Sequence, residues 1–193
     1  MSTRETIVSA AAKVMREKGL ALATTKAIAR EAGFSEAMLY KHFADKQELF
    51  LVVLKERLPA VTIAADLAGT GEVRENLERV AEQFMAFFVL SFPMAASTFG
   101  SPDLLRKHRE GAINRGYGPY APKRMVRGYL DAEQRLGRIA EGADLEGAET
   151  ALVGGAFHLA FLAAFEGFEK VPEANRKARG LVGSVMPALQ PGR

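Results

Sequence analysis

The sequence predicts an all-α protein in two parts, on three observations. Apolar residues recur at three- and four-residue spacing along most of the 193 residues, no stretch of useful length alternates at period two, and glycine and proline punctuate the periodic stretches. The first helix turns Ile7, Ala10, Ala11, Val14 and Met15 to one side and is expected to end at Gly19. A short second helix starts at Thr24 and Thr25 and carries Ile28 and Ala29 inward. Gly33 follows four residues after Ala29, where the chain must bend sharply and a residue free to take positive φ does so at least cost. Ser35 can cap a third helix with its hydroxyl, and Leu39 returns an apolar side chain to the small core, with Phe43 as a further anchor. Asp45 and Glu48 have the spacing of a capping box and open a fourth helix through Leu49, Phe50, Val53 and Leu54 towards Pro59.

A small residue, a glycine four later and an apolar residue six after that make the spacing of a helix-turn-helix, whose second helix enters the DNA major groove. Tyr40, His42 and Lys46 follow at once. The order T-x-x-I-A-x-x-A-G-F-S-x-x-x-L-Y-x-H-F-x-x-K-x-x-L, from Thr25 to Leu49, resembles the DNA-binding segment of the tetracycline-repressor family. It departs at Ala37, where many members have glycine, and at Met38, where a small or hydroxylated residue is common. The resemblance is confined mainly to residues 1–58. It implies an N-terminal three-helix helix-turn-helix domain linked to a larger helical ligand-binding and dimerisation domain, in a homodimeric repressor that leaves a palindromic operator when a small molecule binds.

The domain boundary is placed at residue 58, before Pro59 and the turn-forming run Ala68-Gly-Thr-Gly71, with residues 1–58 binding DNA and 59–193 forming the second domain. Charge follows this division. Residues 1–58 hold ten Lys/Arg against seven Asp/Glu, while the remainder holds sixteen of each sign, so the whole net charge of +3 lies on the segment with the motif. Thr24 and Thr25, at the start of helix two, suit a phosphate. By resemblance Tyr40, His42 and Lys46 contact the DNA backbone, and Lys26, Glu36, Ala37, Met38 and Lys41 lie where the family reads base edges, next to Ser35 at the start of the recognition helix. Lysine can donate to guanine, and Ala37 or Met38 can touch a thymine methyl. Glu36 either accepts from cytosine N4 or only favours the helix N-terminus. Arg4, Lys13 and Lys18 are expected to be solvated charges.

Beyond residue 58 a fifth helix is expected at about 73–91, carrying Phe84, Phe87 and Phe88 and ended by Pro93 after Phe92. A shorter one follows Ser101-Pro102 with Leu104, Leu105 and the cluster Arg106-Lys107-His108-Arg109. Gly111, Gly116, Gly118, Pro119 and Pro122 suggest a loop; then Met125, Val126, Tyr129, Leu130 and Leu136 line one side of another helix. Phe157, Phe161 and Phe165 form a stripe at intervals of four in an expected helix 150–168, with Ala151, Gly154, Gly155, Ala160, Ala163 and Ala164 around it. The last helix, about 173–189, repeats Ala174, Ala178, Leu181, Val182, Val185 and Leu189. A helix apolar nearly all round must be covered on more than one side, so the last two helices are expected to form the dimer interface; simple intrachain core is the alternative.

Phe84, Phe88, Met125, Tyr129, Phe157 and Phe161, with His158 as a polar handle, are the candidates for binding a lipophilic or aromatic effector. The same side chains would equally fill a close-packed core. Cysteine is absent, which excludes disulfides and thiolate metal sites. The three histidines, His42, His108 and His158, show no metal-ligand pair at helical spacing, and neither a phosphate loop nor G-x-S-x-G occurs. No cofactor, metal or enzymatic activity is therefore expected. Two other readings stay open: a ligand-sensing helical dimer without operator binding, and a helical enzyme with dispersed catalytic residues. The N-terminus lacks an apolar core of signal-peptide length, and the apolar run 151–165 is expected to be too short for a bilayer, so a cytoplasmic location without membrane contact is anticipated.

Overall fold

A computed structural model describes residues 2–59, 61, 67–114 and 118–190. Among the described residues there is no strand. The helices are α1 Thr3–Leu22, α2 Thr25–Ala32, α3 Glu36–His42, α4 Lys46–Glu56, α5 Val73–Ala96, α6 Pro102–Asn114, α7 Ala121–Arg135, α8 Leu145–Phe165 and α9 Ala174–Leu189, with a 3₁₀ turn at Ser97–Gly100. The chain divides into two compact units. One comprises Met1–Leu58 and Leu90–Gly116, the other Pro59–Val89 and Tyr117–Arg193. Segment 90–116, which the sequence reading placed in the second domain, thus packs with the first 58 residues.

In the first unit α1 opens with a complete capping box. Ser2 Oγ accepts from the Glu5 N–H at 3.2 Å, and the Ser2 N–H donates to the Glu5 carboxylate at 2.7 Å. Its inward face (Ile7, Ala11, Met15) meets Ile28 of α2, Leu39 of α3 and Leu49, Phe50 and Val53 of α4 in a core where each is almost wholly buried. Burying each large side chain contributes about 1.5–3 kcal/mol. Gly19 does not end α1 as expected: it kinks the helix, with φ 73° and ψ 163°, and one further turn follows to Leu22. The loose end is tied twice: Lys46 Nζ donates to the Leu20 carbonyl at 2.8 Å, and the Ala21 N–H donates to Ser97 Oγ at 3.0 Å. The second contact fastens segment 90–116 to α1.

The second unit packs α8 between α7 and α9. Leu152, Ala156 and Ala160 of α8 and Ala178, Val182 and Val185 of α9 lie in its core, with Leu77, Val80, Ala81, Phe84 and Met85 of α5 and Val126 and Leu130 of α7. At Gly155 a Cβ would collide with the Leu181 side chain, so the missing side chain sets the approach of α8 and α9. Buried Glu133 pairs with Arg138 at 3.3 Å and accepts the Gly69 N–H at 3.3 Å.

Several expectations need correction. Pro93 does not end α5, which continues to Ala96, and α9 likewise runs through Pro187. Both prolines are flanked by buried residues (Val89 and Met94, Val185 and Leu189), and this packing outweighs a local penalty of about 3 kcal/mol. Gly111 lies within α6 rather than in a loop; Gly116 and the side chains of Leu104 and Lys107 lie outside the described residues. Leu136 does not face inward. It is the C-cap of α7 and 56% exposed, because the chain turns away at Gly137 with φ 74°. The penultimate helix begins five residues earlier than expected, where Asp144 caps it by accepting the Gly147 N–H at 2.8 Å. At 21 residues α8 is, with 73–100, long and apolar enough to cross a membrane by length and composition, contrary to the sequence reading.

Candidate nucleic-acid interface

The α2–turn–α3 segment is built by caps. Thr24 Oγ1 accepts the Ala27 N–H at 3.1 Å and starts α2, and Gly33 ends it in the left-handed region with φ 74° and ψ 24°. Ser35 Oγ accepts the Met38 N–H at 3.3 Å and starts α3. Ile28, Leu39 and Phe43 anchor the pair from below. Asp45 then opens α4 by accepting the Glu48 N–H at 2.7 Å, while the Glu48 carboxylate reaches back to the Ala44 N–H at 2.6 Å. The predicted capping box is present, displaced by one residue on its return bond.

On the outside of this frame Thr24, Lys26, Ser35, Ala37, Tyr40, Lys41 and His42 are exposed; Thr25, Glu36, Met38 and Lys46 are partly covered. Eight turn-linked positions of α2 and α3 therefore bring hydroxyls, two lysines and small or thioether side chains onto one accessible edge. A helix of this radius matches the width of a DNA major groove.

Three side chains have partners that sequence spacing does not reveal. Thr25 Oγ1 donates to Glu36 Oε2 at 2.7 Å, and Tyr40 OH stands 3.5 Å from Thr25 Oγ1. The Lys46 ammonium, committed to the Leu20 carbonyl, is half-buried, and burial lowers its pKa below the ordinary lysine value. Arg4 and Lys13 are not simply solvated. Arg4 grips Glu56 through two bonds of 3.0 and 2.6 Å and lies 5.7 Å over the Phe43 ring, and Lys13 pairs with Glu31 at 2.6 Å. Each pairing holds its carboxylate partner below the usual range.

The effector candidates fall into two groups within the second unit. Phe84 and Phe88 stack at 5.6 Å, and Phe88 meets Phe157 edge-on at 5.4 Å, forming one run of touching rings. Tyr129 is buried with its hydroxyl accepting from Asn76 Nδ2 at 3.1 Å; burial raises its pKa. Met125 is partly covered, whereas His158, Phe157 and Phe161 lie on the exposed side of α8. That side also carries Ala151, Gly154, Leu162 at 42% exposure and Phe165 at 81%. A separate open groove of about 590 Å³, with Arg74, Arg138, Ile139 and Met186 in its wall, contains none of the seven candidates.

The model of the family described as bacterial regulatory proteins, tetR family, matches residues 7–53. The HTH-type transcriptional activator FasR of Mycolicibacterium smegmatis is 33% identical over 86 residues, which are 44% of this chain and 39% of FasR, so the match spans about two fifths of that relative's length. The crystal structure of FadR from Bacillus subtilis in complex with stearoyl-CoA superimposes with a TM-score of 0.63 at 19% identity, covering 98% of both chains. Salmonella enterica GusR gives 0.69 at 18% identity, over 97% of this chain and 95% of that one. At these identities the two structures share the fold.

Proposed function

We propose that this chain, whose residues 7–53 match the model of the bacterial regulatory proteins, tetR family, is a member of that family and a sequence-specific DNA-binding transcriptional regulator acting as a homodimer. The observation that carries this reading is the accessible α2–α3 edge, capped at both helix starts, with Lys26, Ala37, Tyr40, Lys41 and His42 outward. In this reading α3 enters the major groove. Thr24, Thr25, Tyr40, His42 and Lys46 hold phosphates, and Lys26, Glu36, Ala37, Met38 and Lys41 address bases, with Ser35 fixing the first turn of α3.

The dimer is read as forming through α8 and α9, supported by the exposed stripe of α8 (Ala151, Gly154, Phe157, Phe161, Leu162, Phe165). A two-fold pair places its recognition helices about 34–36 Å apart, which suits a palindromic operator. The ring run Phe84–Phe88–Phe157 supports a lipophilic or aromatic effector, and stearoyl-CoA bound to B. subtilis FadR is of the lipophilic kind. Release from the operator on effector binding makes the protein a repressor. FasR, whose name is that of an activator, favours the second reading, in which the same contacts recruit transcription. The compartment is the cytoplasm, where operator DNA is found.

A mobility-shift titration with duplexes from around the chain's own gene, at fixed salt and with random competitor, tests the core of this proposal. Retarded complexes that resist the competitor are expected; equal competition by random DNA refutes sequence-specific binding. A promoter fusion with and without the protein separates repression from activation. Native mass spectrometry of the purified dimer tests for a retained effector.

A further inference from the structure

We propose that Glu36 is an internal stand-in for a DNA phosphate, occupying the Thr25 hydroxyl in the DNA-free protein and thereby suppressing nonspecific binding. This inference rests on the DNA-binding reading above. Thr25 Oγ1 donates to Glu36 Oε2 at 2.7 Å, across eleven residues and the turn between α2 and α3. A threonine hydroxyl has one proton to donate, so Thr25 cannot bond a phosphate while it bonds Glu36. Tyr40 OH, 3.5 Å from Thr25 Oγ1, is drawn towards the same centre. Two of the three hydroxyl-bearing side chains assigned to the backbone thus form a chain, Tyr40 OH to Thr25 Oγ1 to Glu36 Oε2, that ends on a carboxylate of the protein itself. A carboxylate oxygen and a phosphate oxygen are alike in charge and as acceptors, which makes the exchange of one for the other a direct competition.

The competition bears on all DNA equally, because every duplex offers phosphates. Its reversal does not. Once displaced, the Glu36 carboxylate stands in the first turn of the recognition helix and can accept from cytosine N4 in the major groove. Only a site that presents cytosine there replaces the lost bond. Glu36 is in this way a specificity-determining residue that weakens wrong complexes more than right ones.

The test is a double-mutant cycle on the full chain with Glu36→Ala, Thr25→Val and the pair, measured by fluorescence anisotropy on a random duplex at one salt concentration. With Thr25 present, Glu36→Ala is expected to tighten random-duplex binding about tenfold, the scale of a hydrogen bond to a charged group. In the Thr25→Val background the gain should shrink to about threefold, the scale of removing one exposed charge. Thr25→Ser keeps the hydroxyl and should restore the larger gain, and Glu36→Gln, similar in shape but neutral, should behave between wild type and Glu36→Ala. The same gain in both backgrounds means that Glu36 acts only by its charge and overturns the proposal while leaving DNA binding intact. A wild-type chain that binds no duplex overturns the functional reading itself.

Discussion

Gly19→Ala and Gly33→Ala add the same methyl group at two positive-φ positions, but their surroundings make the costs unequal. At Gly33, with φ 74° and ψ 24°, a Cβ meets nothing within 4 Å. Left-handed backbone costs an alanine about 1–2 kcal/mol, partly offset by about 0.4–1 kcal/mol from a less free unfolded chain. The net loss is about 1 kcal/mol. Gly19, with φ 73° and ψ 163°, lies in a region that glycine alone occupies readily, at about 1–3 kcal/mol for other residues. Its Cβ would also lie 2.7 Å from Ser97 Oγ and 2.9 Å from Ser97 Cβ. Moving Ser97 aside removes the acceptor of the Ala21 N–H, at about 1–3 kcal/mol for a covered group. Together these sum to about 2–6 kcal/mol, less the same offset from the unfolded chain. Urea denaturation followed by circular dichroism, with amide hydrogen exchange at Ala21 as a local probe, measures both variants. Gly19→Ala should lower the midpoint several times more than Gly33→Ala and expose the Ala21 amide, and the Ser97→Gly background should relieve part of that loss. Equal midpoints for the two alanine variants would refute the steric account.

Lys46→Met retains the stem but loses the bond to the Leu20 carbonyl, so DNA-free stability should fall by about 1–2 kcal/mol, and the slope of log affinity against log salt should fall by about one if the ammonium also meets a phosphate; an unchanged melting midpoint denies the structural role. His108 Nδ1 lies 3.2 Å from Gln47 Oε1 and its ring 5.7 Å from Phe50, and burial lowers its pKa below the ordinary value. The unfolded chain then binds the more protons between the two pKa values, so His108's contribution to stability is full above about pH 6.5 and is lost as pH falls towards the folded pKa; His108→Gln should flatten that part of a pH series, and an unaltered profile would contradict it. Leu162→Glu, on the exposed face of α8, should yield a folded monomer in sedimentation, whereas Ala178→Glu, wholly buried within its own chain, should unfold the second unit; a dimeric Leu162→Glu variant would place the interface elsewhere.

The helix-turn-helix was legible because its rules are local. Gly33, the Thr24, Ser35 and Asp45 caps and the Ile28–Leu39 pair each act within a few residues of themselves, and the structure shows each in that state. What spacing could not show are bonds between side chains on different elements. Thr25 to Glu36 and Lys46 to Leu20 depend on how helices cross, and no periodicity encodes that. Pro93 is hidden from spacing for a related reason: its local penalty is visible in the sequence, whereas the burial on both sides of it that decides the outcome is not. The placement of 90–116 beside α1 rests on contacts such as Ser97 to Ala21, made across 76 residues of chain. The face of α8 was legible as apolar all round, but which stripe points outward emerged only from its packing on α7 and α9.

The outward stripe of α8 also bears on how the cell's dosage of this chain is read. A surface carrying Leu162 at 42% and Phe165 at 81% exposure is a liability for a chain that has not found its twin, open to proteases and to chance aggregation. In the proposed dimer, pairing through α8 would cover this stripe, so survival of the chain and its ability to span two half-sites would arrive in the same event. On that reading, while chains are scarce the population of pairs would grow as the square of chain number, and operator occupancy with it. Halving gene copy would then cut the bound fraction nearly fourfold instead of twofold, which turns a gradual change in synthesis into a sharper change at the promoter.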